Sequence, residues 1–446
     1  MNFFTLIFFI SLCLSYGFRN LKYRALKSFK ISCKNVSKQK KIILPKSVAK
    51  ISKESNEKTS LFPSQNNDFN YYNILALVQL LPPLSIIFDA TIDTPDFILR
   101  KFISYSYFIT TATLSVYLGA KASDRKIFEE DALITTKNAL LAPVFSSAIL
   151  FAFYTLLKLN SFEYFFEKSY QFLSLLIGAF SIDTVISLAF VNNVNKDNQV
   201  LDLNDKRNNI SVLTTGLIIL GYLLITNFGG KTPEYFYINS FFSNLIALGI
   251  AIQSISLIKV QNFAVACTLL CGLFLYDIYF VFGTDIMMTV ATKIEAPVKF
   301  LFPASVSTIL DKPYPYSVLG LGDIVVPGIM AALARKIDIQ SAEERRISSD
   351  ANIKKENSLT RFLNSFINKK DQYIEPLEVL KSNDITYSYL NSSIVGYVFG
   401  LLAAFCANEF SHRGQPALLY LVPSVIISML YTATKNEDLN DIWRKG

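Results

Sequence analysis

The sequence predicts an all-α, polytopic membrane protein. Of its 446 residues, 51% are hydrophobic and 14% are aromatic. The hydrophobic residues form repeated runs of about 20, which is the length that a helix needs to cross the hydrocarbon core of a bilayer. Two consecutive runs in the second half of the chain each contain a single aspartate. An acid at bilayer depth is costly, so these two residues indicate a functional site inside the membrane.

The chain before residue 102 divides into three segments. Residues 1–16 contain a short apolar stretch followed by small residues, which is typical of a signal-peptide core and predicts a leader. Residues 17–70 are rich in Lys, Ser and Asn and predict a basic, disordered extension. Residues 71–101 add an extra hydrophobic segment, interrupted by Pro82 and Pro83, and a linker.

The net charge of +8 is concentrated in the basic extension. Residues 19–58 hold 13 Lys or Arg and two Glu, a balance of +11, so the remainder of the chain sums to −3. A basic stretch that precedes a membrane body and carries no recognisable binding motif gives no reason to predict nucleic-acid binding.

Ten apolar runs are candidate spans, and nine of them follow residue 101. They predict an N-terminal membrane region over 102–259, a second membrane region over 260–434 and a C-terminal tail over 435–446. The runs lie at about 72–90, 102–120, 137–158, 169–191, 210–228, 241–257, 261–283, 317–334, 390–408 and 415–433. Lys and Arg concentrate in alternate loops, including 335–388, which predicts that these loops are cytosolic and that the loop 284–316 is luminal.

The two intramembrane acids are Asp277 and Asp323. If their spans run over 261–283 and 317–334, each acid lies about 9 Å inside the same membrane face. Gly320 and Gly322 precede Asp323 and weaken a helix at that point. Pro327 lacks the amide hydrogen that would bond the carbonyl of Asp323. The backbone around Asp323 therefore needs another partner or water.

Two carboxylates in such a position favour acid–base chemistry. One can remain protonated while the other is ionised, so the pair can take a proton from water and give one to a carbonyl oxygen. A structural pair that holds helices together and a proton- or cation-coupled transporter or channel are the alternatives. The only histidine is His412, which excludes an HExxH zinc site. Asp183 is alone in its span and is predicted to serve packing or hydrogen bonding.

A third motif distinguishes these alternatives. Residues 415–423 read QPALLYLVP. The motifs Tyr276-Asp277, Gly320-Leu321-Gly322-Asp323 and Pro416-Ala417-Leu418, in this order and in the last four spans, resemble the signature of signal peptide peptidases. Presenilins share the pattern, but the wider strings LYDIYFVFGT, EAPVKFLFP and LGLGDIVVPGI resemble the peptidases more closely. The resemblance covers about 102–433.

The resemblance implies a nine-helix, presenilin-like fold and an intramembrane aspartyl endopeptidase. Such an enzyme cleaves remnant signal peptides and type II membrane segments within the bilayer. Asp277 and Asp323 would be the catalytic pair, and neither a metal nor another cofactor is expected. Supporting or substrate-binding positions would be Tyr276, Gly320, Leu321, Gly322, Gln415, Pro416, Ala417 and Leu418.

The resemblance also implies a location in the endoplasmic reticulum membrane. Self-association and contact with factors of endoplasmic-reticulum-associated degradation are the candidate partnerships that it suggests. The leader leaves a different endomembrane or a plastid-like organelle open as an alternative. The first 101 residues and the long loop 335–388 depart from the family pattern.

Overall fold

A computed structural model describes most of the chain after residue 67. The described residues are 68–91, 97–123, 133–158, 163–194, 200–229, 232–284, 286–287, 290, 296–304, 315–367, 388–411 and 414–443. The predicted leader, nearly all of the basic extension and large parts of the loops 284–316 and 335–388 lie outside these residues.

Helices make up most of the described structure, as the sequence predicts. In chain order they are α1 (Asp68–Val78), α2 (Leu81–Thr91), α3 (Phe97–Ala122), α4 (Thr136–Lys158), α5 (Glu163–Val194), α6 (Val200–Phe228), α7 (Pro233–Leu257), α8 (Phe263–Phe282), α9 (Gly322–Ile367), α10 (Ser388–Ser411) and α11 (Leu418–Lys435). Two short sheets interrupt them. Strand β1 (Leu133–Ile134) pairs in parallel with β2 (Lys259–Val260), and β3 (Lys299–Pro303) pairs antiparallel with β4 (Tyr316–Gly320).

Seven described helices are long and apolar enough to cross a membrane, and they are α4 to α8, α10 and α11. The predicted spans 102–120 and 317–334 fall on α3 and α9. Helix α3 has 26 residues, many of them Ser, Thr and Tyr, and the apolar part of α9 is followed by Arg335 and Lys336. The prediction of an all-α, polytopic membrane protein is therefore confirmed.

Helix α9 lies at the centre of the membrane region. Every residue from 321 to 335 is buried, and α9 contacts α3, α7, α8, α10 and α11. Helices at the periphery instead expose apolar side chains, such as Leu140 on α4 and Leu217 on α6. In a bilayer such side chains face lipid, so the acid at the start of α9 lies inside the protein.

The structure corrects the predicted start of the span 317–334. Residues Tyr316–Gly320 form strand β4, and the helix begins only at Gly322. Gly320 and Gly322 disfavour a helix, and the main chain of β4 finds its hydrogen-bond partners on β3 instead. Asp323 is consequently in the first turn of its helix and not six residues after the start of the helix.

The first candidate span is also not one continuous helix. It is divided between α1 and α2, with Gln79 and Leu80 in the turn between them. Pro82 and Pro83 fall in the first turn of α2, where the missing amide hydrogens are not needed for helical bonds.

Candidate active site

Asp277 faces the inside of the protein from helix α8. Asn262 caps this helix by accepting a hydrogen bond from the Val265 amide, at 3.0 Å. Asp277 is the only charged residue of the helix and is 1% exposed. The side chains of Leu275 and Tyr279 point outward and are well exposed. The helical repeat thus separates an apolar outer face from an inner face that carries the acid.

Asp323 lies where strand β4 turns into helix α9. The Leu321 carbonyl accepts the first helical bonds, from the amides of Ile324 and Val325 at 3.1 and 2.8 Å. The Gly320 backbone donates a hydrogen bond to the Asp323 carboxylate. A carboxylate in the first turn also gains from the positive end of the helix dipole. The glycine-rich turn therefore positions Asp323 and supplies polar partners for it.

The two aspartates come together inside the membrane region. Helices α8 and α9 pack against each other, and the Asp277 and Asp323 side chains lie within range of direct electrostatic interaction. Both are buried, with exposures of 1% and 6%. Two carboxyl groups that interact in a low-dielectric interior favour a state in which they share one proton.

The Pro416-Ala417-Leu418 segment reaches the same site from the other side. The backbone amide of Leu418 donates a hydrogen bond to Oδ2 of Asp277, at 3.2 Å. Leu418 is the first residue of α11, so its amide is one of those that a helix leaves without an internal partner. Helix α11 therefore presents its N-terminus to Asp277, in the way that helix N-termini hold anions.

The remaining predicted positions lie next to the two acids along the chain or at the start of α11. Tyr276 is buried and its ring lies 4.7 Å from that of Phe280, measured between ring centroids. Gly322 begins α9, and Pro416 and Ala417 form the turn into α11, where Ala417 is the N-cap. Gln415 is half-buried, with its side-chain oxygen 3.5 Å from the Tyr420 hydroxyl.

Two residues that the sequence analysis did not predict hold the β3–β4 hairpin in place. Asn244 of α7 donates to the Leu301 carbonyl and accepts from the Leu301 amide, at 2.9 and 2.7 Å, and so acts as a strand partner. Arg100 of α3 donates to the carbonyls of Pro303 and Ala304, at 2.8 and 2.7 Å. In the sequence, the indication of such a role is that Asn244 is a polar residue within an apolar helix.

Asp183 has the structural role that the sequence predicts. Its carboxylate accepts a hydrogen bond from the Ser211 hydroxyl of the neighbouring helix α6. The bond joins α5 to α6, so Asp183 is not part of the two-aspartate site. In the described part of the chain, no group of three or more His, Cys, Asp and Glu side chains is arranged to hold a metal ion.

Apolar helices of membrane length, together with two buried carboxylates within range of electrostatic interaction, define a multi-pass membrane protein with buried acids among its helices. The sequence model of one family, signal peptide peptidase, matches residues 124–446. The chain belongs to the signal peptide peptidase family, and the resemblance predicted from its motifs is confirmed.

Individual relatives support the same assignment. A probable intramembrane protease of Schizosaccharomyces pombe is 30% identical over 335 residues, which cover 75% of this chain and 91% of that protein. The signal peptide peptidase of Homo sapiens is 29% identical over 344 residues, which cover 73% of this chain and 78% of that protein. A probable intramembrane protease of Saccharomyces cerevisiae is 31% identical over 246 residues, which cover 54% of this chain and only 36% of that protein.

No solved structure matches the chain. Membership of the family supports a peptidase that acts on membrane-embedded substrates within the bilayer.

Proposed function

We propose that this protein is an intramembrane aspartic endopeptidase that uses Asp277 and Asp323 to activate water. The observation that carries the proposal is that both carboxyl groups are buried, on two helices that pack together, and lie within range of electrostatic interaction. Each of them also lies at the N-terminus of a helix, Asp323 in α9 and Asp277 against the Leu418 amide of α11. Helix N-termini stabilise the single negative charge that the working pair must keep.

The reaction requires one proton on the pair at the start. The ionised carboxylate takes a proton from water while the protonated carboxyl donates its proton to the peptide carbonyl oxygen, which gives a neutral tetrahedral intermediate. When the carbon–nitrogen bond breaks, the carboxyl that took the proton from water gives it to the leaving amine, and the other carboxylate takes a proton from a hydroxyl of the intermediate, so the pair again holds one proton. The products are one new carboxyl terminus and one new amino terminus.

A membrane-embedded substrate must lose its helix at the cleavage site. In a helix every peptide carbonyl within the lipid is hydrogen bonded and shielded by side chains, so water and acid cannot reach it. Remnant signal peptides and type II membrane segments are the substrates we assign, and short or interrupted helices among them should unwind most easily. The endoplasmic reticulum membrane is the location we assign, with self-association and degradation factors as candidate partnerships.

A reconstitution experiment separates this proposal from the transporter alternative. Purified protein in lipid vesicles is given a fluorescent model signal peptide and, in the same vesicles, a proton or cation gradient. We expect cleavage of the peptide at one or a few positions and no flux above that of empty vesicles. Flux without cleavage in correctly folded protein contradicts the proposal and favours transport.

A further inference from the structure

Tyr397 is a buried residue of helix α10 that no motif of the sequence includes. It is 1% exposed and is among the largest fully buried side chains of the described structure. Its hydroxyl is buried as well, and no described residue forms a hydrogen bond with it. Buried tyrosine hydroxyls normally have a partner, because an unpaired hydroxyl in the protein interior destabilises the fold. Phenylalanine would serve packing equally well at this position, so the hydroxyl needs another explanation.

The location of Tyr397 connects it to the aspartate pair. Its side chain lies within range of electrostatic interaction with Asp323. Helix α10 contacts both α9 and α11, the two helices whose N-termini hold the carboxylates. Tyr397 is therefore close to the site although it belongs to neither helix.

Close packing between α10 and α11 fixes the position of this side chain. Gly396 and Gly400 face α11, and the Ser424 hydroxyl donates to the Gly396 carbonyl at 2.6 Å. The Ser392 hydroxyl donates to the Ser428 carbonyl at 2.7 Å. Glycines at this spacing let two membrane helices approach closely. The backbone that carries Tyr397 thus has little freedom to move away from the site.

Ser393 lies one helical turn before Tyr397 and also has a buried hydroxyl without a hydrogen-bond partner among the described residues. It is 1% exposed. Residues four apart lie on one face of a helix. The Tyr397 hydroxyl, a second buried hydroxyl on the same helix face and the Asp323 carboxyl group could together provide the two to four polar partners that an ordered internal water needs.

We propose that Tyr397 is a positioning residue of the aspartate pair. Its hydroxyl donates a hydrogen bond to a water that Ser393 also binds, and this water donates to the carboxyl group of Asp323. The inference rests on the proposed peptidase function. In it, Tyr397 touches neither substrate nor scissile bond, and it acts by fixing the orientation of the Asp323 carboxyl group for proton transfer.

The test compares two Tyr→Phe changes on the same helix. Tyr397→Phe removes the unpartnered hydroxyl, whereas Tyr389→Phe removes a hydroxyl that donates to Asp438 at 3.2 Å, away from the aspartate pair. We expect Tyr397→Phe to lower kcat for the model signal peptide about 10-fold, with KM and the unfolding temperature unchanged. Tyr389→Phe should leave kcat unchanged and lower the unfolding temperature.

The inference is overturned if Tyr397→Phe has the kcat of the wild type, or if both variants lose activity equally. Should Tyr397→Phe not fold, Ser393→Ala decides the question, because the inference requires this variant to lower kcat also. If the wild type cleaves, Asp323→Asn is inactive and Tyr397→Phe is fully active, only the role of Tyr397 is ruled out. The proposed peptidase function then stands. A folded wild type that does not cleave removes the proposed function and this inference together.

Discussion

The backbone amide of Leu418 lies 3.2 Å from Oδ2 of Asp277 and donates a hydrogen bond to it. This contact gives the Pro416-Ala417-Leu418 motif a physical explanation. Pro416 and Ala417 form the turn that leads into α11. This turn directs the amide of Leu418, the first helical residue, at Asp277. The motif therefore acts through its main chain, which explains why a segment without polar side chains can belong to an acid site.

Removing this amide hydrogen should slow the proposed reaction. Replacing residue 418 with the α-hydroxy acid analogue of leucine keeps the side chain and converts the amide to an ester. One hydrogen bond to a charged group is lost, so kcat should fall by about 10- to 100-fold. The same exchange at Tyr420, whose amide bonds the Ala417 carbonyl inside the helix, is the matched control. Equal loss at both positions would show that only the helix is affected.

The Asn244 side chain should be needed for the hairpin that precedes Asp323. Asn244→Ala leaves the amide and the carbonyl of Leu301 without this partner, and we expect a loss of about 1–3 kcal/mol in stability together with reduced cleavage. Thermal unfolding in detergent and peptide cleavage measure the two effects. Ser240→Ala, one turn away on the same helix, is the control. Among the described contacts, the Ser240 hydroxyl bonds only the Tyr237 carbonyl of its own helix. An unfolding temperature equal to the wild type for Asn244→Ala refutes this role.

The contact between α10 and α11 should not accept a larger residue. A Cβ atom at Gly396 would lie 2.4 Å from the Ser428 hydroxyl and 2.8 Å from the Ser424 carbonyl oxygen. Gly396→Ala must push the helices apart, so it should lower stability by about 1–3 kcal/mol. Gly216→Ala on α6 has no neighbour within 4 Å and should be neutral or slightly stabilising. Similar unfolding temperatures for both variants would contradict close packing at Gly396.

Asp338 connects α9, just after the apolar part of that helix, to the start of α10. It follows Arg335 and Lys336, which end the apolar part of α9, and is 2% exposed. Its carboxylate accepts hydrogen bonds from the amides of Tyr389 and Leu390, at 3.0 and 2.9 Å. Burial nevertheless raises the pKa of Asp338 from 3.8 to about 6, although these amides and Arg335 act in the opposite direction.

Stability should therefore depend on pH through Asp338. Because its pKa is higher in the folded protein, the folded state binds the proton more tightly. The stabilisation is complete below about pH 4 and is lost as the pH rises to about 6, by up to about 3 kcal/mol. Asp338→Asn keeps an acceptor without titrating, so wild type minus variant isolates this group. A difference in unfolding temperature that stays constant or rises over this range refutes the assignment.

Hydrophobic run length was enough to predict the fold class, and the two acids within apolar runs led to the prediction that Asp277 and Asp323 act together. The start of α9 was not predictable in the same way, because a short apolar strand and the first turn of a buried helix have the same composition. Strand β4 becomes recognisable only once β3 is present as its partner. Periodicity also cannot show where a backbone amide points, so the contact of Leu418 with Asp277 required coordinates. The sequence does not single out the Tyr397 hydroxyl, because a tyrosine within an apolar run normally indicates a packing residue.

The most direct test of the central claim is single-turnover cleavage of a model signal peptide by four purified proteins. These are the wild type, Asp277→Asn, Asp323→Asn and Asp183→Asn, each shown to be folded by thermal unfolding. We expect product from the wild type and from Asp183→Asn, whose acid bonds Ser211 elsewhere in the membrane region. We expect no detectable product from Asp277→Asn or Asp323→Asn. Cleavage at the wild-type rate by either of these two variants would contradict a shared-proton mechanism at this pair.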